Sequence, residues 1–285
     1  MNTIEVKNNE IIKNITTDIE VKHTGTNVIN LKIVFNRSTD LKIIYSGLES
    51  KLNIEYILKD GVLVNLYEIR VTEKTKVQYN YSLKNNSKLY LYRLNNSLNM
   101  REVDIISLNE STQIEFNLRT LATTAEKYDI YVYHDGLNAI STLNNLGVAL
   151  KGNIVFNVTG VVEKGKKGSV LNQSNQIISL NNLKNQIDPN LLIDEYDVVA
   201  EHNALIGKFS YDDIFYLMSR GISEEDSIRL LSTGLVLSNL TNEEIKEEII
   251  KYLNEYWRWK NESWWFPNLK KWSYLFWFWC NSFKT

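Results

Sequence analysis

Short runs of alternating apolar and polar residues fill about the first two hundred positions of the chain. The alternation has a period of two in residues 28–35, 40–45, 52–57 and 113–118. Runs of this kind, rich in β-branched and aromatic residues, predict strands with one buried face. Clusters of Asn, Asp, Ser and Gly separate the runs and predict turns.

A long series of short strands with almost no helical periodicity predicts a sandwich, a barrel or a β-solenoid. No repeat of fixed length is visible. Hairpin signals are scarce, because Asp60-Gly61 and Asp135-Gly136 are the only Asp-Gly pairs and Asn-Gly never occurs. Turns such as Asn85-Asn86, which contain Asn without Gly, suit the corners of a solenoid and favour that architecture.

The hydrophobic period changes after Gly207. Ser210, Ser223 and Thr241 each precede an acidic residue by three positions, a pattern that resembles a capping box. Gly221 and Gly234 stand where helices should end. We therefore predict helices at about residues 210–219, 223–234 and 241–257. The chain then divides into a β core at 1–205, a helical domain at 206–257 and a tryptophan-rich tail at 258–285.

Composition and charge exclude several classes of protein. The formal net charge of −2 gives no basic excess for nucleic acid. Cys280 is the single cysteine, so no intramolecular disulfide can form, which suits a reducing cytoplasm. The N-terminus lacks the apolar core of a signal peptide, and no apolar run reaches the ~18 residues of a membrane helix. The sequence therefore predicts a cytoplasmic protein that does not enter a membrane.

Every tryptophan of the chain lies between Trp257 and Trp279. One explanation is that UGA codons are read as tryptophan in this tail. The others are an aromatic docking segment and an interfacial anchor helped by Lys270 and Lys271. We favour the codon explanation because tryptophan is absent earlier, and UGG codons in the gene would exclude it.

The motifs of common catalytic sites are missing or incomplete. The three histidines, His23, His134 and His202, are far apart, and HxH, HExxH, CxxC and GxSxG do not occur. Residues 160–167, GVVEKGKK, have the glycine spacing and lysine of a phosphate loop. Lys167, however, occupies the position of the hydroxyl that must reach Mg²⁺, so a tight connection between strands is favoured.

His202 stands where the strand pattern meets the helical pattern. A strand-end histidine with a local hydrogen bond is the simpler interpretation of His134, and it is also open for His202. The position of His202 at the junction nevertheless suggests chemistry, because a neutral imidazole can bind a metal or relay protons near pH 7. The acidic residues between 194 and 201 are predicted to form a solvated edge, although carboxylates near an imidazole could assist iron.

Residues 189–222 resemble the signature of the SufB/SufD family of iron–sulfur cluster assembly proteins. The matching positions are Pro189, Ile193, Asp197, Val198, His202, Ala204, Gly207, Phe215, Tyr216, Leu217, Ser219, Arg220, Gly221 and Ile222. Gln173-Ser174-Asn175 resembles an upstream Gln-x-Asn segment of the family, and His134 with Ser141 resembles its earlier His…Ser strand.

The resemblance implies a mainly β protein with a right-handed parallel β-helix core and a small C-terminal helical domain. It implies a scaffold without catalytic activity of its own. Its partners would be a SufB-like protein, in a heterodimer, and a SufC-like ABC ATPase held by the helical domain. ATP-driven rearrangement would act at the interface where the cluster forms, so the chain would hold no cofactor stably and meet a cluster only transiently.

Two residues favour the SufD branch within this resemblance. SufB-like members carry a glutamate after the signature histidine and a cysteine that receives sulfur, whereas Asn203 follows His202 and no cysteine precedes Cys280. Ala200 occupies a position that is often cysteine in the SufD branch, so no thiolate is expected from this chain.

His202 is the residue expected to act at the cluster-assembly interface, as a metal ligand or a proton relay. Phe215, Tyr216, Arg220 and Gly221 are expected to pack the helical domain on the β core or to dock the ATPase. The alternatives are a SufB-like scaffold, a carbohydrate-binding or -cleaving β-helix with clustered carboxylates, and a self-associating solenoid. The missing signal peptide and the helical C-terminus argue against the carbohydrate alternative.

Overall fold

A computed structural model describes residues 1–7, 10–15, 19–24, 28–47, 51–72 and 76–260. The side chains of residues 21, 23, 24 and 255–260 are outside this description. The predictions for His23, for Cys280 and for the part of the tail from residue 261 onward therefore lie outside the described residues.

The described chain forms seventeen strands followed by three helices. The strands are β1 (Asn2–Lys7), β2 (Glu10–Asn14), β3 (Ile19–Thr24), β4 (Val28–Phe35), β5 (Thr39–Ser46), β6 (Lys51–Leu58), β7 (Leu63–Val71), β8 (Lys76–Leu83), β9 (Lys88–Asn95), β10 (Arg101–Leu108), β11 (Gln113–Ala122), β12 (Glu126–His134), β13 (Ile140–Ala149), β14 (Ile154–Val162), β15 (Ser169–Ser179), β16 (Gln186–Ile193) and β17 (Val198–Gly207). The helices are α1 (Tyr211–Ser219), α2 (Glu224–Leu237) and α3 (Glu243–Lys260).

From β4 onward the strands alternate between two parallel sheets, which is the architecture of a β-solenoid. One sheet has the order β17-β15-β13-β11-β9-β7-β5-β1-β2, and the other has the order β16-β14-β12-β10-β8-β6-β4-β3. Each pair of consecutive strands completes one turn, which gives about seven turns. Antiparallel pairs occur at the N-terminal end, between β1 and β2 and between β3 and β4. The prediction of a solenoid is confirmed.

The turns follow a repeat that the sequence did not reveal. Lys51 is the register partner of Lys76, and Lys76 is the partner of Arg101, so one turn takes 25 residues in this part of the chain. Later turns are longer, since Ile140 pairs with Val170. The repeat was hidden because it is kept in the backbone of the corners and only loosely in residue type.

The corners carry this repeat as residues with positive φ. They are Gly61, Asn86, Ser111, Asn138 and Gly168, with φ between 54° and 70°. The amide of each donates to a carbonyl of the next turn, over 2.7–2.9 Å. Asparagine and glycine adopt this backbone more readily than other residues, which explains why Asn turns marked the corners in the sequence.

Inward-facing side chains of the two sheets fill the interior of the solenoid. Residues that are register partners in parallel strands point to the same side, so Leu91, Phe116 and Leu143 form one buried column across three turns. Columns of this kind build a continuous apolar cluster from Ile4 to Ile177. The burial of one face per strand is what the alternating pattern predicted.

The helices belong to a second compact unit, with the division between Lys208 and Phe209. The side chain of Ser210 accepts from the amide of Asp212, and that of Ser223 accepts from the amide of Asp226, so both serines cap helices as predicted. Gly221, with φ +83°, ends α1 as predicted. The prediction for Gly234 is wrong, because Gly234 is buried inside α2, where packing outweighs its low helix propensity. No helix in the described part of the chain is long and apolar enough to cross a membrane.

Candidate functional site

The last turn of the solenoid, formed by β16 and β17, has no turn stacked on it within the described residues. Each of these strands pairs on one side only, β16 with β14 and β17 with β15. Backbone N–H and C=O groups on the other side form a free edge, which is a template for pairing with another chain. Large apolar side chains are exposed there, including Leu192 and Val199 at 59% and 55%.

The register places His202 on the inward face of this last turn. His202 is the partner of Gln173, and Gln173 is the partner of Leu143, so His202 ends the column that begins with Leu91 and Phe116. The inner members of the column are buried, whereas His202 is exposed because no further turn covers it. The imidazole therefore occupies a core position that opens to the outside.

A shallow pocket of about 210 Å³ lies across the three neighbouring strands β13, β15 and β17. Its lining comes from residues 142–144, 172–174 and 201–203, with His202 at the outer rung. Among the described residues no group of three or more metal-ligating side chains meets, here or elsewhere. His202 alone cannot hold a metal, so a metal at this position requires ligands from another molecule.

Buried amide side chains lie under the last turn. Asn145 Nδ2 donates to Asn175 Oδ1 over 2.8 Å, and Asn175 Nδ2 donates to the carbonyl of Asn203 over 3.4 Å. Gln173 Nε2 donates to the carbonyl of Asn190 over 3.4 Å. Gln173 Oε1 and Asn145 Oδ1 are buried acceptors without a partner among the described residues. The solenoid interior directly under the last turn is thus lined by amide side chains.

His134 and Ser141 are brought together, but away from His202. His134 Nε2 lies 2.8 Å from Ser141 Oγ, and both side chains are buried. Burial lowers the pKa of His134 to about 4, against a smaller opposing effect of the backbone of Ala139, so the ring is neutral at pH 7. The interpretation of His134 as a strand-end histidine with a local hydrogen bond is confirmed.

Asp194, Glu195 and Asp197 lie in the corner between β16 and β17, and Glu201 lies in β17. Glu195 Oε2 accepts from the amide of Gly165 over 2.8 Å, and Glu195 Oε1 accepts from the amide of Tyr196 over 2.9 Å. These hydrogen bonds, the one from Gly165 first, lower the pKa of Glu195. The segment GVVEKGKK is a strand connection as predicted, because Gly160 lies inside β14 and Gly165 lies in the following corner.

The second half of the sequence signature is the exposed helix α1. None of its residues is buried, and Phe215 and Tyr216 are 57% and 49% exposed. The rings of Tyr211 and Phe215 stack with their centroids 6.1 Å apart. The guanidinium of Arg220 lies 5.3 Å from the centre of the Tyr216 ring, which is a cation–π contact. These residues form an aromatic surface of the helical unit, which we call the α1 surface.

A buried ionic network inside the solenoid was missed by the sequence analysis. Arg93 Nε donates to Glu68 Oε2 over 2.6 Å, and Arg93 Nη1 donates to Glu102 over 2.5 Å and to Asp104 over 2.9 Å. Tyr56 donates to Glu68 Oε1 over 2.5 Å. The alternation of inward and outward residues along β7 could have indicated this network, because Glu68 follows Val64 and Leu66 on the inward face.

The pKa values of two carboxyls of this interior lie above their usual ranges. Burial, together with the charge of Glu102, raises the pKa of Asp104 well above its usual range, although Arg93 opposes the shift. Burial raises the pKa of Glu126 to about 8, in spite of hydrogen bonds from Thr120 and Tyr128 to its Oε2. Each shift favours the protonated form of the carboxyl, relative to the same group in water.

Comparison with known proteins gives one family. The model of the SufBD core domain of SUF system FeS cluster assembly matches residues 27–235. The iron–sulfur cluster assembly protein SufD of Bacillus subtilis is 33% identical over 103 residues, which are 35% of this chain and 24% of that protein. An iron–sulfur cluster assembly SufBD family protein of Staphylococcus epidermidis is 26% identical over 178 residues, 60% of this chain and 37% of that protein. The chain thus spans between 24% and 37% of the length of these two relatives.

Proposed function

The chain belongs to the SufBD family of the SUF system for iron–sulfur cluster assembly, and from this membership we propose that it acts as a SufD-like scaffold subunit. In this role it catalyses no reaction itself. It pairs with a SufB-like protein through the last turn of the solenoid and docks a SufC-like ATPase on its helical unit. The observation that carries the proposal is the position of His202, a core position left open at a free end.

The SufD-like assignment is supported by residues around His202 and by one relative. Asn203 stands where a SufB-like chain has glutamate, and residues 1–279 contain no cysteine that could receive sulfur. A relative that is 33% identical over its matched part is named SufD. A chain without a thiol in its solenoid suits the reducing cytoplasm and leaves sulfur chemistry to the partner.

A second solenoid is the partner that best fits the last turn. Strands added to the edges of β16 and β17 would satisfy the free backbone groups and extend the column that ends at His202. His202 would then lie inside a dry interface. Iron binds imidazole and thiolate ligands, so His202 supplies a nitrogen ligand while the partner supplies the remaining ligands to the cargo cluster.

The α1 surface is the docking site that we propose for the ATPase. A nine-residue helix without a buried residue is too short to be stable by itself in water. Exposed aromatic and arginine side chains are the residues that most often anchor protein interfaces. Burial of Phe215 and Tyr216 under a partner would therefore stabilise both the helix and the complex.

Replacement of His202 tests the role of the last turn. His202→Ala should leave a reconstituted complex of three proteins assembled, because His202 has no hydrogen-bond partner among the described residues. Cluster formation, followed by the visible absorbance of the iron–sulfur chromophore, should fall severely. Lys88→Ala, an exposed lysine at the start of β9, is the matched control and should keep the wild-type rate. Normal cluster formation by the His202→Ala complex would contradict the proposal.

Co-purification tests whether the chain is SufD-like or SufB-like. A SufD-like chain should bring down an ABC ATPase and a homologue that carries cysteine in its solenoid. Recovery of a homologue without such a cysteine would favour the SufB-like alternative. A monomer that binds glycans would contradict both.

A further inference from the structure

We propose that Gln173 is a positioning residue for His202. The carboxamide oxygen of Gln173 accepts a hydrogen bond from the imidazole N–H, so that the other ring nitrogen, which is unprotonated, faces a metal ion. The proposal rests on the proposed function in taking His202 as the residue that meets the cluster. Its test does not depend on cluster assembly.

The register brings the two side chains together. Gln173 and His202 are Cα partners in the neighbouring parallel strands β15 and β17, which lie about 4.8 Å apart. Both side chains point to the inside of the solenoid, since they continue the column of Leu143. Gln173 is 3% exposed and lies one rung below His202.

The carboxamide of Gln173 is held in one orientation. Its Nε2 donates to the carbonyl of Asn190 on the opposite sheet. Gly160 leaves the space that this nitrogen needs, because a Cβ at Gly160 would lie 3.1 Å from Gln173 Nε2 and 2.3 Å from the side chain of Leu171. With Nε2 directed at Asn190, the oxygen Oε1 cannot exchange places with it without loss of this bond.

The oxygen of Gln173 lacks the donor that a buried acceptor needs. Oε1 has no partner among the described residues, whereas the neighbouring Asn175 donates to the carbonyl of Asn203 and accepts from Asn145. Buried acceptors are almost always hydrogen-bonded, so an orphan acceptor indicates a donor that completes it. The next rung of the same column is His202, and the described residues give its imidazole no hydrogen bond.

A hydrogen bond from His202 to Gln173 would settle which ring nitrogen is free. A neutral imidazole has one N–H donor and one lone-pair nitrogen. When the N–H donates to a fixed acceptor, the tautomer and the ring orientation are fixed, and the other nitrogen becomes the ligand. An amide acceptor does this without adding a negative charge to an interface that will be buried.

Imidazole ¹⁵N spectroscopy of the full chain tests the proposal directly. In protein labelled with ¹⁵N-histidine, the imidazole of His202 should show one dominant tautomer. Its signals are assigned by their absence from the spectrum of His202→Asn. Gln173→Leu removes the acceptor and should give a mixture of both tautomers. Gln173→Glu keeps an acceptor oxygen and should keep the wild-type tautomer. His134, whose ring is held by Ser141, is the internal control and should stay unchanged in both variants.

Metal binding in the assembled complex gives the second measurement. Loss of a partner that orients a metal-binding histidine typically costs about 10–100-fold in affinity, so Gln173→Leu should weaken Co²⁺ binding by that factor and Gln173→Glu should not. If the tautomer ratio of His202 is unchanged in Gln173→Leu while the signals of His134 show that the variant is folded, the proposal is overturned. The role of His202 in the proposed function is then left intact. A shifted ratio together with normal cluster formation by His202→Ala would instead refute the proposed function and keep the positioning role.

Discussion

Among single residues, Glu126 has the clearest consequence for stability. Its carboxyl is buried against Thr120 and Tyr128, and burial raises its pKa from 4.5 to about 8. The folded protein therefore holds a proton that the unfolded chain releases above pH 4.5. This contribution to the free energy of unfolding is complete below about pH 4.5 and is lost as the pH rises through 8.

Replacement of this carboxyl should flatten the pH dependence of stability. Glu126→Gln keeps the shape and an oxygen acceptor but cannot ionise. Between pH 5 and 8, wild-type protein should lose about 1.4 kcal/mol of unfolding free energy per pH unit through this group, and the variant should not. Urea unfolding at three pH values measures the slope, and Glu110→Gln, on an exposed corner, should keep the wild-type slope. Equal slopes for Glu126→Gln and wild type would contradict this assignment.

Residue types alone could predict some of these positions and not others. His202 was found because it stands at the end of the strand pattern, but its inward direction and its neighbour Gln173 depend on a register that alternation alone does not give. Arg93 and Glu102 were missed because a charged residue inside an apolar strand is usually assigned to the solvent face. Only the packing of β9 against β10 across the interior shows that Arg93 and Glu102 form an ion pair.

At the scale of elements, the strands were more predictable than their connections. Alternation identified the strands because strands such as β6, β10, β12 and β14 bury one face and leave the other partly exposed. The period of 25 residues stayed hidden because Gly61, Asn86 and Ser111 are different residues with the same positive φ. The helix α2 continues past Gly234 to Leu237, because tertiary contacts around this buried glycine outweigh its low helix propensity. Helix propensity alone does not reveal such contacts.

The helix α1 supports a prediction that separates docking from folding. Phe215→Ala combined with Tyr216→Ala removes two rings that are largely exposed, so the free energy of unfolding should change by less than about 0.5 kcal/mol. Binding of the ATPase should weaken by at least about 30-fold, because central aromatic anchors are worth roughly 2 kcal/mol or more. Isothermal titration with the purified ATPase measures the loss. Tyr133→Ala, a partly exposed ring on β12, is the control and should bind normally. Unchanged affinity in the double variant would exclude the α1 surface as the docking site.

For the whole molecule, the free end of the solenoid sets the tendency to associate. The unpaired edges of β16 and β17 and the exposed Leu192 offer the same surface to a second copy as to a partner. The chain purified alone should therefore self-associate with increasing concentration. Leu192→Lys adds a charge to this edge and should shift the equilibrium toward monomer in sedimentation velocity.

A remote leucine gives the control for this experiment. Leu137 is 40% exposed and lies in the corner before β13, away from the last turn. Leu137→Lys should therefore leave self-association unchanged. If both variants behave alike, association does not use the last turn, and the proposed pairing surface loses its support.

The ladder of corner amides has a consequence for how such a protein can evolve. The inner corners are joined to their neighbours by the same kind of backbone hydrogen bond, so a duplicated or deleted segment of 25 residues would keep this ladder in register. Each such event would displace the terminal histidine by about 4.8 Å along the axis while its own surroundings stayed the same. The number of turns would therefore set the distance of His202 from the N-terminal end of the solenoid.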